Sequence, residues 1–167
     1  MSSRFHTVVA GARVRVLAAT AVMLALPGAA GCQSLDPDQA ALDLATERVR
    51  DQARTSAAAM QAVLRERTAP ADQALLHSLE QAVTVPGYGV GTVFDRAAGS
   101  AEGIRLDVAF DQAGEVRHAR MLVRLCVRIT GRPGPEAEAV MDDVACGPAL
   151  PTHTDLGTVD RVVSLSD

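Results

Sequence analysis

The apolar residues of this chain change their period once, and the position of that change constrains the fold more than any composition does. Up to about residue 84 they recur at steps of three and four: Leu42, Ala45, Val49, Ala53, Met60, Val63 and Leu64, then Leu75, Leu76, Leu79, Ala82 and Val83. From Tyr88 onward they alternate by two. Helices gathered at one end and strands at the other predict an α+β domain rather than interleaved βαβ units. The expected architecture is an N-terminal helical hairpin packed on one face of a three- to five-stranded, mainly antiparallel sheet. Its helical half spans 36–84 and its β half 88–147, and 148–167 is a tail or an edge strand.

The first helix is expected over 37–67. Asp36 can cap it, Pro37 suits the first helical position, and Gln39 can complete a capping box. Arg48, Arg50, Arg54, Glu47 and Asp51 fall on its wet side. A second helix, Ala71 to Val83, follows Pro70 and ends before Pro86-Gly87. Both apolar stripes are rich in Ala and therefore thin, so the hairpin needs the sheet for stability.

In the β half, Tyr88, Val90, Thr92 and Phe94 share one face of a first strand. Ile104, Leu106, Val108 and Phe110 alternate with Arg105, Asp107, Ala109 and Asp111 in the next. Met121, Val123, Leu125, Val127 and Ile129 alternate with Arg120, Leu122, Arg124, Cys126 and Arg128 in a third. A turn from Asp111 to Val116 would set Leu106 opposite Met121, Val108 opposite Ala119 and Asp107 opposite Arg120, with both faces consistent. Val140 to Cys146 is a candidate fourth strand beside the third, and Val159 to Leu165 a candidate edge strand. The expected core comprises Leu42, Val49, Met60, Leu64, Leu75, Leu79, Phe94, Leu106, Val108, Phe110, Met121, Val123, Leu125 and Val127.

Ahead of this domain stand Arg4, Arg13 and Arg15 without an acid, an apolar run from Val16 to Leu26, and Leu26-Pro27-Gly28-Ala29-Ala30-Gly31-Cys32. The run is about 11 residues, short of the roughly 20 that cross a bilayer as a helix, and its parts are those of an export signal. Ala30-Gly31-Cys32 behind such a signal resembles the lipobox of bacterial lipoproteins, although Ala29 stands where that family usually has Leu. The resemblance covers residues 1–34. It implies a signal peptide over 1–31 and a diacylglyceryl anchor on Cys32 at the outer face of the cytoplasmic membrane; the 136 residues from Cys32 onward then read, by length, as a short linker over 32–35 and a single domain over 36–167. Two acyl chains suffice for stable anchoring. Cleavage near Ala30 by an ordinary signal peptidase is the alternative.

If Cys32 is lipidated, Cys126 and Cys146 form an even pair in an oxidising compartment, and a disulfide between them is expected. A metal site or a reactive thiol would need partners that the scattered His77, His118 and His153 do not supply by spacing, and no CxxC occurs. No cofactor is expected.

Beyond residue 31 the chain carries thirteen arginines, no lysine and all twenty acids, a net charge of −7. Such a balance, without clustered basic and aromatic residues, argues against nucleic acid as a partner. Arg120, Arg124 and Arg128 on one strand face invite an anion-binding reading, for phosphate, teichoic acid or lipid headgroups. The plainer reading is a solvated face paired with Asp107, Asp142 or Asp143. Gly87-Tyr88-Gly89-Val90-Gly91 precedes a strand rather than a helix and has no phosphate-binding Lys, so it reads as a flexible lead-in to that strand. Asp142-Asp143 with His118 or His153 do not make acid–base machinery by pattern, since adjacent strand residues face opposite ways and no G-x-S-x-G or S-x-x-K motif supplies a nucleophile. An enzyme is therefore not expected.

Arg without Lys, with abundant Ala, Gly and Val, suggests GC-rich codon usage, and layout and composition are similar to those of uncharacterised small lipoproteins of actinomycetes. No functional residue carries over from that likeness. The expected function is a membrane-tethered, non-catalytic envelope module that contacts a protein, glycan or lipid. The alternative is a carrier of a lipid or other apolar ligand in a cavity between helices and sheet.

Overall fold

In the computed structural model the described residues are 36–67, 72–85, 89–99 and 103–166. Cys32, the expected signal peptide over 1–31 and the expected linker over 32–35 lie outside them, as do Pro70, Ala71 and Tyr88. The elements are α1 (Pro37–Glu66), α2 (Gln73–Ala82), β1 (Thr84–Val85), β2 (Gly89–Val90), β3 (Thr92–Gly99), β4 (Gly103–Val116), β5 (Ala119–Gly131), β6 (Ala139–Asp143), β7 (His153–Thr154), β8 (Gly157–Thr158) and β9 (Arg161–Val163). This is the α+β class expected from the change of period.

Asp36 caps α1 by accepting from the Asp38 backbone N–H at 3.0 Å, with Pro37 at the first helical position. Gln39 does not close a capping box; its amide donates to Asp43 Oδ1 at 2.7 Å, one turn further along. Asp72 caps α2 through the Leu75 N–H at 2.8 Å.

Strands β3, β4, β5 and β6 are antiparallel in that order, and β9 pairs parallel with β5 beside β6. The central hairpin is longer than expected. Its turn is Arg117-His118, Val116 faces Ala119, and Asp111 pairs with Arg124 rather than Val116. Leu106 then opposes Ile129, Val108 opposes Val127, and Asp107 opposes Arg128 instead of Arg120. The slide is even in number, so every residue keeps its expected face. Hydrophobic alternation fixes only which face is buried, and Gln112 to Glu115, which read as turn, continue the strand.

The first strand reads differently from expectation. A bulge between Val93 and Asp95 shifts the register of β3. Val93, opposite Val108, packs on the core, while Val90 and Thr92 are exposed. Phe94 leaves the core, and a Cβ on Gly147 would lie 2.8 Å from its ring. The fourth strand ends at Asp143, three residues short of Cys146. Cys126 and Cys146 are nonetheless bridged, with Cα atoms 5.4 Å apart, and the Val144 N–H continues the pairing to the Cys126 carbonyl at 3.1 Å.

The inner sheet face meets α1 along Ala41, Ala45, Val49, Ala53, Met60 and Leu64, with Phe110, Leu106, Leu125 and Ile129 fully buried beneath. Contact is closest where both sides are small, at Ala41 and Ala45 over Gly114. A Cβ on Gly114 would stand 2.0 Å from the Ala41 carbonyl oxygen, so any side chain there would push helix and sheet apart. At the other end α1 lies against Gly131, whose Cβ would meet Leu64 at 2.6 Å. Three polar groups inside this layer are satisfied locally. Gln112 Nε2 donates to Gln52 Oε1 at 2.8 Å, Gln52 Nε2 to the Gly89 carbonyl at 3.4 Å, and Ser56 Oγ to the Val83 carbonyl at 3.5 Å.

Candidate functional site

The outer sheet face is built from the residues that alternate with the core. Along β4 it carries Arg105, Asp107, Ala109 and Asp111, and along β5 Leu122, Arg124, Cys126 and Arg128. Arg124 holds Asp111 with two parallel hydrogen bonds, Nε to Oδ1 at 2.7 Å and Nη2 to Oδ2 at 2.8 Å, and its Nη1 donates to the Pro151 carbonyl at 2.9 Å. The pair is 6% and 17% exposed. Arg128 grips Asp107 in the same way, at 2.8 and 2.7 Å, with the carboxylate buried and the guanidinium partly open. Asp111's hydrogen bond is the main reason the Arg124 guanidinium is held above its ordinary pKa, against the opposing effect of burial, and Asp107's hydrogen bond raises Arg128 likewise.

These two pairs do something that hydrophobic alternation does not. Sliding β5 by two residues in either direction keeps the apolar face inward but sets Asp107 and Asp111 opposite Cys126, Thr130 or Leu122. Two acids would then sit unpaired on a largely covered face. The ion pairs thus select one register among those that the alternation permits.

The three expected arginines occupy one face but do not act alike. Arg124 is buried and ion-paired, Arg128 is ion-paired and half open, and Arg120, opposite Glu115, donates to the Leu156 carbonyl at 2.8 Å. Asp142 opposes Arg128 across β5 and β6, and Asp143 accepts from the Leu165 N–H at 2.9 Å. His118 lies in the β4–β5 turn, about 30 Å along β5 from these acids at ~3.3 Å per residue. His153 sits on β7, its Nδ1 3.0 Å from Thr158 Oγ1. His118 is therefore not brought to these acids, and the contact His153 makes is to Thr158. Of the glycine-rich segment, Gly89-Val90 forms a short hairpin with Thr84-Val85, and Gly91 has no room for a Cβ against Val83 and Phe110.

What the strand pattern did not show is a groove of about 500 Å³ on this face. The Arg124–Asp111 pair lines it, Val90 and Thr92 form one bank, and Leu150, Pro151 and the β7–β8 hairpin form the other. Val90 and Leu156, 69% and 43% exposed, are apolar positions along it. The second bank is excursion 144–160, which has no periodicity of its own and is held by fixed points. These are the Cys126–Cys146 bridge, the Arg124 bond to Pro151, and a reciprocal pair in which the Asp160 N–H donates to the Leu122 carbonyl at 2.8 Å while Asp160 Oδ2 accepts from the Leu122 N–H at 2.7 Å. Chemically the groove offers apolar patches over the mutually paired Arg124 and Asp111, with His153 and Asp155 on its second bank.

No family model, no curated protein and no solved structure matches this chain.

Proposed function

We propose that this chain is a membrane-tethered extracytoplasmic lipoprotein whose domain is a non-catalytic interaction module, anchored through a diacylglyceryl group on Cys32 and contacting an envelope partner along the outer-face groove. The tether rests on the run Leu26 to Cys32 behind a basic and apolar leader. The observation that carries the interaction reading is the groove itself, concave and partly apolar, with Arg124 and Asp111 in its lining already matched to one another. Support for the lipid-carrier alternative is weaker, because α1 touches β4 at backbone distance over Gly114 and large side chains fill the layer between them.

Fractionation of the full chain beside Cys32→Ala tests the tether. The wild-type protein is expected in the membrane pellet with a lipid-sized mass increment, and the variant in the medium or as uncleaved precursor. A wild-type protein that is secreted without lipid would overturn it. Native mass spectrometry of the domain exposed to a lipid extract separates the two functions, since a stoichiometric apolar adduct that survives desalting would favour the carrier.

A further inference from the structure

We infer that the β4–β5 turn, Arg117-His118 with Arg120 behind it, is the membrane-facing tip of the domain and rests on anionic phospholipid headgroups. This rests on the tethered reading of Cys32. It goes beyond that reading by fixing which end of the molecule meets the lipid.

The argument starts from the direction of α1. Its first turns lie over the turn end of the hairpin, where Ala41 and Ala45 contact Gly114 and Arg48 Nη1 donates to the Ala113 carbonyl at 3.0 Å. Its last turn lies at the opposite end, where the Leu64 carbonyl accepts from the Gly134 N–H at 3.1 Å and Arg65 Nε donates to the Ala137 carbonyl at 3.0 Å. Thirty helical residues span about 45 Å and thirteen strand residues about 43 Å, so α1 and β5 are matched in length. From Gly114 the hairpin continues about 10 Å to its turn, while α1 extends about 6 Å from Ala41 back to Pro37. The turn and the start of α1 therefore form two lips of the same end.

Chain length then limits the height of that end. Four peptide steps separate Cys32 from Asp36, at most roughly 14 Å when fully extended. An acylated Cys32 lies at the headgroup layer, so the two lips are kept close to it, and the loop around Gly134 stands about 45 Å away. Charge distinguishes the lips. The helix lip carries Asp36, Asp38 and Asp43, whereas the hairpin lip carries the cations Arg117 and Arg120 against the single acid Glu115. Arg117 and His118 are both exposed. An anionic surface attracts the hairpin lip and repels the helix lip, so the domain leans onto its turn. The Arg124–Asp111 end of the groove is then held about 20 Å above the lipid, counted along β5 from the turn, while its Leu156 end, bonded to Arg120, lies nearer the headgroups.

The chain has no Trp, which permits single-Trp reporters in the full-length, lipid-anchored protein. His118→Trp marks the turn and Glu136→Trp the opposite loop. Both are exposed, and the positive φ of this turn, 57°, belongs to Arg117 and not to His118. The proteins are reconstituted in vesicles of equal parts phosphatidylglycerol and phosphatidylcholine carrying a headgroup-labelled quencher, after circular dichroism has shown an unchanged fold. The expected result is strong quenching at 118 and little at 136, with quenching at 118 reduced by Arg117→Glu, by high salt, or by omitting phosphatidylglycerol. Co-flotation with the vesicles reads the tether separately. A protein that does not float removes the tether and this inference together. One that floats but is quenched equally at both positions, more at 136, or at neither leaves the tether standing and overturns the orientation. Quenching at 118 that ignores Arg117→Glu and salt overturns the electrostatic contact.

Discussion

At the scale of single residues, the consequential choice is a buried arginine at position 124. Its guanidinium has Asp111 on two donors and the Pro151 carbonyl on a third, and little of it reaches solvent. Removing the acid alone leaves that cation uncompensated, a loss that costs about 3 kcal/mol or more in comparable buried pairs. Removing both charges restores an apolar surface, and Pro151, itself exposed, can turn its carbonyl to water. Asp111→Ala is therefore expected to lower the urea midpoint much more than the double variant Asp111→Leu with Arg124→Met, which should fall close to wild type. Equal losses in the two would mean that the site contributes packing rather than charge pairing. Arg124's raised pKa sets the alkaline limit of this stabilisation, which fades as pH rises through the higher folded value, in strong alkali.

At the scale of elements, the disulfide and the strands show what the sequence makes legible. Cys126 is fully buried in β5, and its bridge closes a separation of 20 residues that takes in all of β6. Opening a loop of that size should lower stability by about 3 kcal/mol, mainly through the unfolded chain. Reduction is therefore expected to shift the guanidinium midpoint while the Val159 N–H, bonded to the Thr152 carbonyl at 2.8 Å, keeps its exchange protection under native conditions. Loss of protection across 144–160 before global unfolding would instead make the bridge the direct support of the groove bank. Both helices, the α+β class and this cysteine pairing could be read in advance because each leaves a periodic or countable trace. Register could not, since alternation is blind to even slides and the selecting pairs Asp107–Arg128 and Asp111–Arg124 are separated by a turn whose position was misjudged. Phe94 was misassigned for a related reason, because a bulge resets the alternation without changing composition. The groove was invisible because half of it is an aperiodic excursion placed by single hydrogen bonds.

At the scale of the whole molecule, the sheet is covered on both faces, and the C-terminal segment is where the two coverings meet. β9 extends β5 in parallel at Val123 to Leu125. The Ser164 carbonyl accepts from Arg50 Nε at 2.9 Å, which joins α1 to the end of the chain, and the Leu165 N–H donates to Asp143 at 2.9 Å, which joins that end to β6. Val163 and Leu165 pack on the inner core, while Asp160 fixes the groove bank from the outer side. A segment that could be taken for a tail is thus the clasp between helix, sheet and excursion. Truncation after Thr158 removes three partly buried apolar side chains, Val159, Val163 and Leu165, and several hydrogen bonds, a loss of about 2–3 kcal/mol. For a domain of this size that is roughly 5–10 °C in Tm. Because the clasp reaches every layer, the lower transition should remain a single cooperative one, with near-ultraviolet dichroism from the aromatic side chains and the disulfide falling together with far-ultraviolet dichroism. An unchanged Tm would make 159–167 dispensable. Two separated transitions would show that the excursion over the outer face melts independently of the α1-covered sheet, and the groove would then be a property of a loop rather than of the fold.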